Sequence, residues 1–469
     1  MVFSSFTFLF LFLPALLVCY FLCPPRARRG KNGVLLVFSL LFYACCGLRF
    51  LPVMLASIVL NYVCGLLASP RSDGSRRRAV VACAVVLNLA LLGWFKYAGF
   101  LADNLSRLGW ETAIPAVVLP IGISFFTFQG MSYVLDVARG AAQREKNPFR
   151  VALYISLFPQ LVAGPIVRYT TISNEIVCRQ VGLRNFAEGG IRFLYGLAKK
   201  VLLANCLGEL ADAVFGMGTG SMPLCTAWLG ALAYTGQIYF DFSGYSDMAI
   251  GLGRMFGFHF NENFDNPYIC RSITEFWRRW HMSLSSWFRD YVYIPLGGNR
   301  CSVGRHIFNL VIVWALTGFW HGAAWNFLAW GLFYAVLLIA EKYLWGGAIA
   351  KCPAAVRHIY AMVIVIVAWV LFRADTIGAA GSLIRVMFGG SGVIADGQTM
   401  YFLREYGWVL ICGVIFSLPV RTKLRAFFKR RHCSRLSAWC PVVLALVLFG
   451  LSILQLISST FNPFIYFRF

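Results

Sequence analysis

Acidic residues are scarce in this chain: 19 Asp and Glu stand against 42 Lys and Arg in 469 residues. Charged residues of both signs make up only 13%, where a soluble globular domain carries about 25%. A surface solvated on all sides is therefore excluded. Also lacking are Cys and His spacings that would hold zinc, a Gly-rich nucleotide fingerprint, and a low-complexity linker that would mark a domain boundary. What the chain has instead is apolar length. Hydrophobic residues reach 59%, mean hydropathy is +0.70, and several runs approach the roughly 20 residues that cross a bilayer. Only helices or closed barrels satisfy their backbone in lipid, and runs of this length indicate helices. The fold class is an all-α polytopic membrane protein, with 1–469 read as a single transmembrane domain.

The net charge of +23 has to be placed before it is interpreted. The basic residues fall in short loops between apolar runs, as cytoplasmic loops facing anionic lipid do, which points to the bilayer and away from nucleic acid. The loops Pro24–Lys31, Arg71–Arg78, Arg139–Arg150 and Arg421–His432 all face one side if the apolar runs between them are spans. That register puts the N-terminus and the tail 461–469 outside. Fifteen cysteines, such as Cys45, Cys46, Cys64, Cys83, Cys206 and Cys412, lie mostly within or beside apolar runs. They suit small core residues better than ligands or bridges. The first run, Phe6–Cys23, lacks a basic leader and a small-residue cleavage site, so a retained span is expected.

Further spans are expected as a pair over Gly33–Ser69, turning near Gly47–Pro52, and then up to about Leu101, at Val117–Val137, at Trp228–Phe256 with an interruption at Phe240–Asp247, and as about two up to Ala340. The last three are expected at Ile359–Phe372, Trp408–Val420 and Cys440–Ser459. The stretch Phe158–Arg168 carries two prolines, a glycine and an arginine, which predicts a broken, re-entrant segment lining a cavity or a kinked helix. Asp241 and Asp247 are expected to turn toward a polar interior.

The candidate chemistry lies between Arg271 and Trp330. Glu275, Arg278, Arg279 and His281 share approximate helical spacing in a polar, Trp-rich run. His321 sits in an apolar segment about 20 Å along the helix from His306, inside the bilayer. Imidazole is the side chain best suited to take a proton near neutral pH. His321 is thus a general base or a structural hydrogen-bonding residue.

Four motifs occur in order: Phe158-Pro-Gln-Leu-Val-Ala-Gly-Pro165, Tyr239-Phe-Asp-Phe-Ser-Gly-Tyr-Ser-Asp-Met-Ala-Ile-Gly251, Glu275-Phe-Trp-Arg-Arg-Trp-His281 and Gly318-Phe-Trp-His-Gly322. They resemble the membrane-bound O-acyltransferase (MBOAT) family, in particular its bacterial polysaccharide O-acetylation branch of alginate and peptidoglycan O-acetylation membrane subunits. The resemblance implies a multi-helix body with a central tunnel and re-entrant segments. It implies His321 and His281 as catalytic, and no permanently bound cofactor or metal. The donor it implies is acetyl-CoA or a related acetyl thioester from the cytoplasm, with Trp320 and Trp325 keeping water from it and Arg278, Arg279 and Arg289 either holding its phosphates or marking the cytoplasmic side. An extracytoplasmic SGNH-hydrolase-like acetyltransferase partner would then O-acetylate a polysaccharide, an alginate-like exopolysaccharide or peptidoglycan. The location implied is the bacterial inner membrane. The tail Phe464-Ile-Tyr-Phe-Arg-Phe469 is similar to a C-terminal signature of this branch, which makes Tyr466 an acyl relay or else an aromatic anchor at the interface. The competing readings are a transporter or flippase without acyl chemistry, and direct O-acylation of a protein or lipid.

Overall fold

The computed structural model describes residues 1–24, 26–70, 73–110, 114, 117–162, 164–420, 434–459 and 461–465, those at 434–438 by backbone alone. The basic loop Arg421–His432 and the tail residue Tyr466 thus lie outside the described residues. Within the described residues the chain is helical and without strands. In order, the helices are α1 Thr7–Leu22, α2 Arg28–Gly47, α3 Leu51–Leu67, α4 Gly74–Arg107, α5 Ile123–Ala138, α6 Pro148–Ser156, α7 Tyr169–Val177, α8 Leu183–Ala198, α9 Cys206–Phe215 and α10 Leu224–Met255. They continue with α11 Ile273–Arg279, α12 Met282–Phe288, α13 Val303–His321, α14 Trp325–Tyr343, α15 Ala354–Arg373, α16 Ile377–Met387, α17 Gly397–Ser417 and α18 Ser434–Ser458.

Among the described residues, six segments are long and apolar enough to cross a membrane: Arg28–Leu67, Gly74–Arg107, Val303–His321, Ala354–Arg373, Gly397–Ser417 and Trp439–Ser458. The first is the expected pair of spans, broken at Gly47 and a short turn over Leu48–Phe50. Lipid explains why large apolar side chains such as Val37, Val86, Ile359 and Ile411 remain exposed along these helices, where a soluble protein would not tolerate so many.

The chain resolves into two compact units, Met1–Phe193 with Ser246–Asn261, and Leu194–Tyr245 with Glu262–Phe469. In the first, Phe3, Phe8, Phe12, Phe42 and Phe158 pack ring on ring at 4.8–6.3 Å. The stretch after Leu157 is broken as expected, with one helical turn at Phe158–Leu161 and an irregular path to Tyr169. Protein satisfies its freed backbone. The Phe158 N–H donates to Ser39 Oγ (3.1 Å), and the Val167 carbonyl accepts from the Tyr154 hydroxyl (3.0 Å). The same segment corrects the span expected at Val117–Val137. Helix α5 begins only at Ile123, because Gly122 turns with φ +75° and passes so close to the Leu161 carbonyl that a Cβ would stand 2.5 Å from its oxygen.

The interruption expected at Phe240–Asp247 is absent. Helix α10 runs unbroken for 32 residues. Its two carboxylates do turn inward, and each finds a cation: Asp241 pairs with Lys200 at 2.8 Å, and Asp247 with Arg192 at 2.8 Å. The polar residues thus satisfy one another without opening the helix. Gly244 serves packing, since a Cβ there would meet the Gly196 carbonyl at 2.8 Å. The described cysteines are free thiols, with only Cys64 and Cys270 fully buried.

Candidate active site

The polar run beginning at Arg271 folds into two short helices that meet at a corner, and the corner residue is His281. Helix α11 is fixed first. Ser272 Oγ accepts the Glu275 N–H at 3.0 Å, and the Glu341 carboxylate accepts the N–H groups of Ile273 and Thr274 at 2.7 and 3.0 Å. A carboxylate at the positive end of a helix is a favourable pairing. Trp277 then packs on Trp314, Tyr334 and Trp330 at 4.5–5.6 Å. The apolar face of the run is core, and its corner faces inward.

At that corner His281 adopts φ 44° and ψ 51°, a left-handed conformation that costs a non-glycine residue roughly 1–2 kcal/mol. Asn263 holds it there. The Asn263 backbone carbonyl accepts the Met282 N–H at 3.0 Å. Its side-chain Oδ1 accepts the Ser283 N–H (3.2 Å) and Ser283 Oγ–H (2.9 Å), and lies 3.1 Å from His281 Nδ1. A backbone N–H can only donate, so the shared Asn263 atom is the oxygen, and Nδ1 of His281 must carry the proton. The other nitrogen, Nε2, then presents a lone pair. It is buried and has no hydrogen-bond partner among the described residues. Burial holds the His281 pKa well below its ordinary value, and the neighbouring His321 pushes it the same way. The ring is a neutral, oriented base with its acceptor nitrogen ready for a hydroxyl.

His321 is positioned differently. It is the last residue of α13, and α13 packs very tightly against α14. A Cβ on Gly318 would lie 2.4 Å from the Phe327 carbonyl oxygen, and one on Gly331 2.3 Å from that of Trp314. Small residues at these crossings let the two backbones meet, the usual device for helix pairs in lipid. A Cβ on Gly322 would strike the Phe327 ring at 2.2 Å. The glycines flanking His321 are therefore packing residues that fix where the imidazole sits. Its ring is ringed by aromatics: Trp320 at 5.0 Å, Trp330 at 5.1 Å and Phe372 at 5.2 Å between centroids. Trp320 also lies 5.8 Å from His281, on which the Phe242 ring packs at 4.6 Å. The two histidines, 40 positions apart in sequence, are brought together across one tryptophan. Both are almost wholly buried, at 1% and 7% exposure.

The other expected site residues separate. Arg278 is exposed. Arg279 is engaged by Glu275 and Asp265, each at 3.1 Å, and Arg289 by its neighbour Asp290 at 2.6 Å. Trp325 opens α14 with half its surface exposed, so the enclosure of His321 falls to Trp320, Trp330 and Phe372. Sequence reasoning missed Asn263, Ser283, Phe242, Trp330 and Phe372. A signal for Asn263 was present in the polar string Glu262-Asn-Phe-Asp-Asn266, just ahead of the histidine corner.

Two buried histidines in an apolar helical body suit proton transfer sheltered from water. The sequence model of the membrane-bound O-acyltransferase family matches residues 87–376, a span that contains both histidines. The chain belongs to this family. Among its curated relatives, the probable alginate O-acetylase AlgI of Azotobacter vinelandii is 40% identical over the full length of both chains. The peptidoglycan O-acetyltransferase of Helicobacter pylori is 31% identical over all of this chain and 98% of its own length. A teichoic acid D-alanyltransferase of Streptococcus thermophilus is 30% identical over 48% of this chain and 57% of its own. As a member of the family, the chain is a multi-pass membrane O-acyltransferase.

Proposed function

We propose that this acyltransferase takes acetyl from a cytoplasmic thioester of the acetyl-CoA class and passes it across the bacterial inner membrane. Tyr466 carries it, with His321 and His281 serving the proton transfers, and an extracytoplasmic SGNH-hydrolase-like partner sets it on a polysaccharide, an alginate-like exopolysaccharide or peptidoglycan. The observation that carries the reading is the pair of buried histidines joined through Trp320, in a chain alignable end to end with an alginate O-acetylase. Orientation follows from the basic loops, which put both termini outside.

In the first transfer the Tyr466 hydroxyl oxygen attacks the acetyl carbonyl carbon. A C–O bond forms and the C–S bond breaks. The hydroxyl proton goes to a histidine imidazole and from there to the departing thiolate. In the second transfer a hydroxyl oxygen of the partner attacks the tyrosyl ester carbonyl: a new C–O bond forms, the bond to the Tyr466 oxygen breaks, and the partner's hydroxyl proton passes through the imidazole to that oxygen. Dry aromatic walls matter because water in the same place would hydrolyse the thioester. Arg278 and Arg289, the more exposed of the arginines, are the ones to meet the donor's phosphates at a cytoplasmic mouth.

The test is mass spectrometry of the C-terminal peptide after purified protein is incubated with isotope-labelled acetyl-CoA. Label on Tyr466, absent in His321→Ala, is the expected result. Thioester turnover without labelled tyrosine would remove the relay and leave direct transfer. An untouched thioester would remove acetyl-CoA as the donor.

A further inference from the structure

The most deeply buried ion pair among the described residues plays no part in the chemistry proposed above. Lys200 and Asp241 face each other at 2.8 Å with side chains 4% and 2% exposed. Lys200 lies in a π-helical turn, Lys199–Asn205, whose wider winding brings its Nζ to Asn205 Oδ1 at 2.8 Å. π-turns inside helices recur at functional sites. An isolated buried pair of this kind gives little or no net stability over an apolar pair of the same size, so its remaining hydrogen-bonding capacity is informative.

That capacity is spent on the C-terminal segment. Lys200 Nζ donates to the backbone carbonyl of Pro463, and the backbone N–H of Ile465 donates to Asp241 Oδ2 at 2.8 Å. Asn205 Nδ2 donates to Asn462 Oδ1 at 3.3 Å. The Phe464 ring packs 4.9 Å from Tyr245, and Phe464 and Ile465 are 5% and 6% exposed. Gly208 leaves room for Phe461, whose ring would stand 3.2 Å from a Cβ there. All of these residues belong to one compact unit.

We infer that the Lys200–Asp241 pair is a docking clamp for the segment Phe461–Ile465, which it holds by backbone groups: the cation takes the carbonyl of Pro463, and the anion takes the N–H two residues later. The clamp's geometry stands apart from the acyl relay. Only its effect on activity rests on that reading, because Tyr466 is the next residue in the sequence.

The test is amide hydrogen exchange of the peptide 461–465 in the full chain, in lipid nanodiscs. The double variant Lys200→Met/Asp241→Leu removes both charges together, so neither is left buried alone. The clamp predicts exchange about 10- to 100-fold faster in this peptide, as for loss of hydrogen bonds to charged groups, with exchange in α13 and α14 unchanged. A merely structural pair predicts no change in the tail, and that result would overturn the proposal. Should the double variant not fold, Ile465→Pro leaves the ion pair whole and removes only the N–H that Asp241 accepts. It should release the peptide, while Ile465→Val holds it. Equal exchange in the two would also overturn the clamp. Tyr466→Phe separates the readings: it should leave tail exchange as in the wild type while abolishing polymer acetylation.

Discussion

The two histidines sit side by side, and the described contacts that hold them differ in kind. His281 is fixed by hydrogen bonds on a strained corner. Asn263 sets its tautomer, and its Nε2 lone pair is presented without a partner among the described residues. His321 is fixed by shape, at the end of a helix whose glycines let α14 close on it and whose neighbours are three aromatic rings. The difference teaches which part of each environment matters. A hydrogen-bonded histidine is tuned electrically, and its proton affinity answers to one nearby atom. A packed histidine is tuned sterically, and it fails when a helix moves.

Removing the packed ring should have the largest effect. His321→Ala is expected to lower acyl transfer by about a thousandfold, within the range for a lost general base, measured as thioester turnover by protein that keeps its wild-type melting profile. Next comes the hairpin that places it. Gly318→Leu drives a side chain into the Phe327 carbonyl and should destabilise by roughly 1–3 kcal/mol or more, the cost of overpacking, seen as a lowered thermal midpoint together with lost activity. An unchanged midpoint would remove the steric account of His321.

On the polar side, Asn263→Leu takes away the acceptor that fixes the tautomer. A loss of about ten- to a hundredfold in turnover is expected, as for partners that orient a functional histidine. The smallest effect is the most diagnostic. In the wild type the His281 pKa is lowered, so the ring stays neutral as pH falls past its ordinary 6.5. Base-competent enzyme should therefore persist, and the acid limb of the rate profile should lie below that value. Asn263→Asp sets a negative charge beside Nδ1, favours the imidazolium and should shift the limb upward. A limb that does not move would exclude His281 as the titrating group.

Much of this was legible in the chain. Apolar length and loop charge foretold the helices. Proline and glycine at Pro159, Gly164 and Pro165 foretold the break after Leu157, because backbone defects leave composition signals. Histidine in apolar surroundings singled out His321 as a candidate, and the polar motif around His281 singled out that residue. The unbroken α10 was not legible: Asp241 and Asp247 look like defects until their cations, 41 and 55 residues upstream, come into view. The same holds for Asn263, Trp330 and Phe372, whose roles exist only as contacts between elements. Periodicity reports the face of a helix, not the identity of what that face meets.

One pair of residues bears on how such a chain is assembled. Asn61 and Asn88 are fully buried in otherwise apolar helices α3 and α4 and exchange side-chain amide bonds at 3.1 and 3.0 Å. Each asparagine also donates to a carbonyl of its own helix four residues back, so neither enters lipid wholly unsatisfied. Facing each other, the amides have one register in which both bonds form. Helices that leave the ribosome first settle first, and this pair lies within the first fifth of the chain. A register fixed by this pair can therefore form during synthesis, before His281 and His321 have been translated.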